Sequence, residues 1–330
     1  MKVKIKLVVI IGLLQLLNCW KKQDHDITRP IIPHYIFNGT MVDYDSGEKL
    51  PNIIIKLTAS RMLYDVKFPT QSDTSDSNGN FSFDPVYPGY YTWRVQKEGC
   101  WLNEKKLEIV HRDSTSVIAV PHLFYGKVFK FRSSYPVFAI NGTKAWFNVY
   151  SMTPYFKRAQ MFILYVLTNG VWFEEGYYLS PLRNKKATSM AFGRDALYVC
   201  IAPNTLYLIN TLDGTLIGQY QISQNITAVA YHPPQNCIYT CSKNNLYRHE
   251  SEQPINIVSS WNFENHTLSA LAYYKGIYTY DNTNYLLRKY NTEMNVEITY
   301  AFVDSDLKIQ ILNIYDMSFD GYGQLWVTLL

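Results

Sequence analysis

Seven histidines, at positions 25, 34, 111, 122, 232, 249 and 266, are the side chains best suited to proton transfer or metal ligation near neutral pH. None falls in a metal-ligating spacing. The sequence also lacks H-E-x-x-H, G-x-S-x-G and P-loop patterns. His232 precedes Pro233-Pro234 and reads as a loop residue. Cys100, Cys200, Cys237 and Cys241 offer thiol chemistry. Cys237 and Cys241 are four apart on an expected strand, which sets their Cα atoms roughly 13 Å apart at ~3.3 Å per residue. A disulfide needs less than about 7 Å, and C-x3-C is not the C-x2-C of zinc and redox sites. All four are expected to be core residues. Asp73, Asp76, Asn78 and Asn80 line up side-chain oxygens. A calcium loop, however, wants Gly after its third ligand and Glu at its end, and Phe81 follows Asn80. These four are read as Asx residues shaping a hairpin. Tyrosine is abundant, with 28 copies, and exposed rings stack on sugars and anchor protein partners. Tyr274, Tyr280 and Tyr285 are the candidates for such an outward face.

The elements that must hold these residues are strands. The 330 residues are 47% hydrophobic, 15% aromatic and 18% charged, a globular composition with ample core material. Removing Lys2, Lys4 and Lys6 from the 31 basic residues leaves 28 against 27 acidic. That balance gives no support to nucleic-acid binding, which calls for a basic patch. No helical period persists along the chain, and the expected class is all-β: a small antiparallel β-sandwich followed by β-propeller-like repeats.

The N-terminus reads as an address. Three lysines precede an apolar run over 7–17, too short for the ~20 residues of a membrane-spanning helix but right for the core of a signal peptide. Leu16-Leu17-Asn18-Cys19 then resembles a bacterial lipobox, with Asn18 where a small residue is usual. The resemblance implies cleavage before Cys19, a signal peptide over 1–18, and acyl chains on the Cys19 thiol and amine. At ~0.8 kcal/mol per buried CH₂, two or three chains hold a protein firmly to a leaflet. Residues 19–33 are polar with two prolines and read as a tether. Trp20, rather than Asp, follows the cysteine, so the expected destination is the outer membrane or cell surface.

Residues 34–122 are rich in β-branched and aromatic runs bounded by turn residues. Asn78-Gly79 is the sharpest hairpin signal, suited to a type I′ turn. Gly39-Thr-Met-Val-Asp43, Ser46-Gly47, Leu50-Pro-Asn-Ile53, Gly79-Asn-Phe-Ser-Phe83 and Val86-Tyr-Pro-Gly-Tyr-Tyr91 together resemble the carboxypeptidase regulatory-like domain. The resemblance implies a transthyretin-like sandwich that serves as stalk, spacer or binding module and carries no catalytic groups.

Residues 187–330 repeat. Ala187-Thr-Ser-Met-Ala-Phe192, Ile226-Thr-Ala-Val-Ala-Tyr231, Leu268-Ser-Ala-Leu-Ala-Tyr273 and Ile314-Tyr-Asp-Met-Ser-Phe319 align, each followed by a second aromatic strand. Units of about 40 residues with four short strands are propeller blades. Ala191, Ala230, Ala272 and Ser318 recur where inner strands crowd an axis. The phrases Asp320-Gly-Tyr-Gly-Gln-Leu-Trp-Val-Thr328 and Leu206-Tyr-Leu-Ile-Asn-Thr-Leu-Asp-Gly-Thr-Leu-Ile217 resemble those of NHL, YVTN and PQQ-type propellers. The repeats give three full blades and half of a fourth. Residues 123–186 are strand-like but lack the phrase. They supply missing strands and a divergent first blade, or form a second sandwich, unless the chain is a truncated one.

A propeller enzyme of the lactonase kind would place acids on inner strands around an axial calcium, for which Glu174, Asp281, Asp316 and Asp320 are the candidates, although a structural role is the first expectation for all four. Asp281 and Asp320 read as turn residues. The first expectation is therefore non-catalytic: a lipid-anchored envelope protein that binds or scaffolds a protein or glycan, without cofactor, metal or nucleic acid. A propeller enzyme of the lactonase or streptogramin-lyase kind is the alternative, and a purely structural envelope role the third. Converging carboxylates or a histidine at the axis favour the enzyme. A channel of Ala, Ser and Tyr favours the binder.

Overall fold

A computed structural model describes residues 32–329 except 65–66, 103–104, 110–111, 129–136, 143, 154–155, 169–170, 179–181, 183–184, 195, 212–213, 255 and 321. The side chains of 108–109 and 149–178 are likewise outside the description. The signal segment, Cys19 and the tether lie outside the described residues.

The first eight strands build the sandwich: β1 (Tyr35–Asp43), β2 (Ile54–Met62), β3 (Gln71–Thr74), β4 (Asn80–Val86), β5 (Gly89–Lys97), β6 (Cys100–Trp101), β7 (Lys105–Ile109) and β8 (Ser114–Val120). One sheet runs β4-β1-β8 and the other β3-β2-β5-β6, with β7 also on β5. The period-two alternation of β1 and β4 sends Phe37, Met41, Phe81 and Phe83 inward against Ile55, Leu57, Tyr91 and Val95 of the facing sheet. The pairing is not wholly antiparallel. β8 returns from the other sheet and lies parallel to β1, from Phe37 opposite Ser114 to Asp43 opposite Val120. Gly39 permits that approach, because a Cβ there would sit 2.1 Å from the Ser116 carbonyl oxygen.

The Asn78-Gly79 reversal differs from the expected type I′ turn. Gly79 alone takes a left-handed φ, +76°. Gly79 N–H donates to Asp76 O, and Asp76 N–H to Asn80 O. This is a three-residue loop with a type I turn and a glycine bulge. The reversal carries the chain between the sheets, since β3 pairs with β2 and β4 with β1. Asp76 Oδ1 accepts from Asn78 N and Asn80 N, so the Asx residues shape the loop.

The chain then leaves through β9 (His122–Val128) and forms three four-stranded sheets in sequence. The first holds β10 (Val137–Asn141), β11 (Lys144–Thr153), β12 (Phe156–Thr168) and β13 (Val171–Tyr178). The second holds β14 (Ala187–Phe192), β15 (Ala196–Ile201), β16 (Thr205–Asn210) and β17 (Leu216–Gln221). The third holds β18 (Ala228–His232), β19 (Cys237–Ser242), β20 (Asn245–Glu250) and β21 (Ile257–Asn262). A fourth begins with β22 (Leu268–Tyr273), β23 (Ile277–Asp281), β24 (Leu286–Tyr290) and β25 (Val296–Asp304), and the chain finishes with β26 (Ile314–Phe319) and β27 (Leu325–Leu329).

The innermost strands close a ring. β10 packs on β14, β14 on β18, β18 on β22, β22 on β26, and β26 back on β10. Among the described residues this is a propeller of five blades. The fifth is closed by both ends of the propeller segment: β9 lies parallel to β27, with Lys127 opposite Trp326. β25 is long enough to pair with β24 through its first half and with β9 through its second. Blades four and five are thereby sewn into one seven-stranded sheet.

The sandwich docks on this seam. Ala301 and Leu123 pack into the sandwich core. Trp101 N–H donates to Lys308 O and Gln310 N–H to Trp101 O. All four described cysteines are buried free thiols. Burial pushes the Cys241 thiol up to about 12 and raises Cys200 well above its ordinary value, which keeps both protonated and unreactive.

Candidate functional site

An inner strand of a propeller presents an unpaired backbone edge to the axis, and its N–H and C=O groups need partners. Side chains supply them here. Asp316 Oδ2 accepts Phe138 N–H at 3.0 Å, and Asp316 Oδ1 accepts Ser189 Oγ–H at 3.0 Å. Ser189 Oγ in turn accepts Val229 N–H at 3.2 Å. One carboxyl and one hydroxyl thus join four inner strands. Ser318 Oγ accepts Ile140 N–H, and Ser269 Oγ–H donates to Ile314 O. Asp316 is completely buried. Burial drives its pKa well above the usual carboxylate range, overriding the hydrogen bonds from Phe138, Ser189 and Met317.

Above this layer the axis narrows to a pocket of about 60 Å³ between the inner strands, lined by Ala191, Ala230, Ala272 and Ser318 among others. It opens into a funnel of about 630 Å³ at the turns that follow the inner strands. Phe192, Tyr231, Tyr273 and Phe319 stand around the funnel, one from each aligned repeat. Tyr274, Arg194, Asn141 and Asn236 complete its rim. The repeat explains the ring: the last residue of each inner phrase is aromatic, and it emerges where the strand turns away from the axis.

The turns are individually fixed. Tyr231 O–H donates to Asn236 Oδ1 at 2.8 Å. His232 ends β18, is buried beside Tyr273, and accepts Gln235 N–H on Nδ1. Burial holds its pKa below the ordinary histidine value. Asp320 spends its carboxylate on its own turn, accepting Tyr322 N and Gln324 N on Oδ1 and Trp326 Nε1 on Oδ2. Tyr274 stacks on Phe319 with ring centroids 5.4 Å apart.

The anticipated partner-binding tyrosines are not one surface. Tyr274 lines the funnel. Tyr280 faces inward, fully buried, with its hydroxyl donating to Ile311 O. Tyr285 follows β23, at the end away from Tyr274, and packs on the core between blades four and five. Two-sided burial explains Tyr280: β23 is the second strand of its blade, and both its faces are covered by neighbouring blades.

Among the described residues the candidate acids do not converge either. Asp281 ends β23 and is completely buried rather than held in an open turn. It accepts His266 Nδ1 at 2.9 Å, Asn284 Nδ2 at 2.8 Å and Arg288 at 3.1 Å, with Thr267 N and Thr283 N on its other oxygen. Burial alone would raise its pKa, and these hydrogen bonds outweigh it and hold the group below the usual range. Glu174 lies on β13, with its side chain outside the described residues. Among the described residues Asp316 is the candidate acid left at the axis, and its oxygens are taken by neighbouring strands. The funnel therefore offers the partly exposed rings of Phe192, Tyr273 and Tyr274 over the buried Tyr231 and Phe319, with polar groups at its edge. The sequence carried the signal for Phe192, Tyr231 and Phe319 in the aligned aromatic ending, although that position also suits plain core packing. Arg194 and Asn141 carried no such signal.

No family model matches the chain. No curated protein matches it. Among solved structures, the WD40 domain of Pan2 from Neurospora crassa is similar to 53% of this chain at 9% identity with a TM-score of 0.37, and the match spans 50% of that structure.

Proposed function

We propose that this protein is a non-catalytic binding module of the cell envelope, held to a membrane by lipid on Cys19, whose propeller funnel receives a glycan or a protein partner. The observation that carries the reading is the aromatic ring of Phe192, Tyr231, Tyr273 and Phe319 around an open funnel where, among the described residues, the one lining acid, Asp320, is spent on its own turn. Rings stack on sugar faces and on apolar side chains, and Arg194, Asn141 and Asn236 add polar contacts at the rim. The small residues Ala191, Ala230, Ala272 and Ser318 at the axis support binding over an axial metal enzyme of the lactonase or streptogramin-lyase kind. The carboxypeptidase regulatory-like resemblance of the sandwich fits a spacer between leaflet and propeller. The NHL and YVTN-like phrases fit a surface propeller.

Two measurements test the reading. Intact mass of membrane-extracted protein, wild type beside Cys19→Ala, is expected to show a chain starting at Cys19 with acyl mass that the variant lacks. An unmodified chain cut elsewhere removes the anchor. Separately, a glycan array and a cell-surface crosslinking screen are run with wild type and with Arg194→Ala/Tyr274→Ala. A partner captured by wild type and lost in the folded double variant supports the funnel. Turnover of a lactone panel by wild type would sink the non-catalytic reading.

A further inference from the structure

The chain crosses from sandwich to propeller at Pro121, and three metal-ligating side chains meet at that crossing. Parallel pairing sets Asp43, at the end of β1, opposite Val120 at the end of β8. Two residues later His122 opens β9, opposite Tyr300 of β25. Its Nε2 lies 3.3 Å from Asp43 Oδ2 and 3.9 Å from Asp45 Oδ2. The three ligand atoms all fall within 4.8 Å of one another.

We propose that Asp43, Asp45 and His122 bind one divalent transition-metal ion, with Zn²⁺ the best match, and that the ion pins the sandwich to the propeller.

Asp43 supplies the first argument. It is 8% exposed. Its hydrogen bonds all fall on Oδ1, from Asp45 N at 3.1 Å, Ser46 N at 3.0 Å and Ser46 Oγ at 3.1 Å. Among the described residues no hydrogen-bond donor is assigned to Oδ2, the oxygen aimed at His122. The 3.3 Å gap between them is longer than the roughly 2.7–2.9 Å of a charge-assisted hydrogen bond.

Coordination geometry supplies the second. Two ligands at about 2.0–2.1 Å from a tetrahedral Zn²⁺ stand about 3.3 Å apart. His122 and Asp43 already have that spacing. Asp45 Oδ2, at 3.9 Å from His122 Nε2, must close by about 0.6 Å to reach it. One imidazole and two carboxylates suit Zn²⁺, whereas Ca²⁺ and Mg²⁺ take oxygen sets.

The third is the outer hydrogen bond that orients a ligand. Asp45 Oδ2 accepts Thr299 N–H of β25 at 2.8 Å, across 254 residues of sequence. The two carboxylates thus belong to the sandwich, while the imidazole and the orienting N–H belong to the propeller. The His122 side chain is 46% exposed, so a fourth position opens to solvent for water or a partner's donor.

The test uses the metal-stripped full chain with Zn²⁺ in calorimetric titration and Co²⁺ in absorption. One ion per chain is expected, with four-coordinate cobalt bands and a raised Tm on Zn²⁺ addition. His122→Ala and Asp45→Asn are each expected to weaken binding at least tenfold. Asp43 is left intact because its Oδ1 shapes the turn. Circular dichroism of both variants establishes that they are folded. Absence of heat and of cobalt bands overturns the proposal. So does binding that both folded variants retain unchanged, since it places the ion elsewhere.

Discussion

Ser189 Oγ donates to Asp316 Oδ1 at 3.0 Å although 127 residues separate them in sequence. The bond joins the inner strands of the second and fifth blades, and the same two side chains also satisfy Phe138 N–H and Val229 N–H. A few polar atoms in a fully buried site thus tie the inner strands of the ring together.

Asp316→Asn is expected to keep the fold. The amide oxygen accepts Phe138 N–H, and the amide nitrogen donates to Ser189 Oγ. Asp316→Leu strands both partners in the core and is expected to lose about 3 kcal/mol. The wild-type pKa is raised, so its favourable contribution is full below the unfolded value near 3.8 and is lost as pH rises through the folded one. Calorimetric melts across pH should show wild type losing ground to the Asn variant on the alkaline side.

His249 runs the other way. Burial lowers its pKa to about 4, and its Nε2 meets Thr240 Oγ1 at 2.8 Å in the third blade. The neutral ring is the folded form. Its contribution is present above the unfolded value near 6.5 and lost as pH falls toward 4. At about 1.4 kcal/mol per pH unit, that window holds roughly 3 kcal/mol. Urea denaturation of His249→Gln at pH 7 and pH 4 should show a smaller acid loss than wild type.

Tyr91 is the corresponding device in the sandwich. Its hydroxyl donates to Tyr87 O at 2.6 Å, and burial raises its pKa to about 12. Tyr91→Phe leaves that carbonyl without the bond and is expected to cost about 1 kcal/mol. A thermal melt reads the loss.

Gly323→Ala probes the funnel through its backbone. Gly323 has φ of +84°, and an added Cβ would meet the Tyr274 ring at 2.4 Å. Tyr274 must leave its stack on Phe319. The strain and the lost stack are expected to cost about 2 kcal/mol. A melt measures the loss, and the rim should bind any funnel ligand more weakly.

The repeat phrase was legible because the inner strands of four blades meet the same surroundings. Ala191, Ala230 and Ala272 are small because each faces the axis, and the aromatic endings recur because each strand leaves it at the same height. The alternation of β1 and β4 likewise wrote the sandwich into the chain, since a half-buried strand needs period two. The blade in residues 137–178 carried no phrase, and its place in the ring came from packing of β10 on β14 and β26.

Local pattern therefore determined the all-β class, most strands and the repeating inner phrase, while the turn at Gly79 and the place of Asp281 were set by their surroundings. What joins distant segments was decided only in three dimensions. No spacing along the chain pairs β9 with β27, sets Asp316 against Ser189, or brings His122 to Asp43 and Asp45. Those relations arise when two β-sheet bodies close and dock, so residues as far apart as Ser189 and Asp316, 127 positions, or Asp45 and Thr299, 254 positions, come to share one environment. The same closure buried Tyr280 and Asp281, because covering both faces of a second strand depends on neighbouring blades.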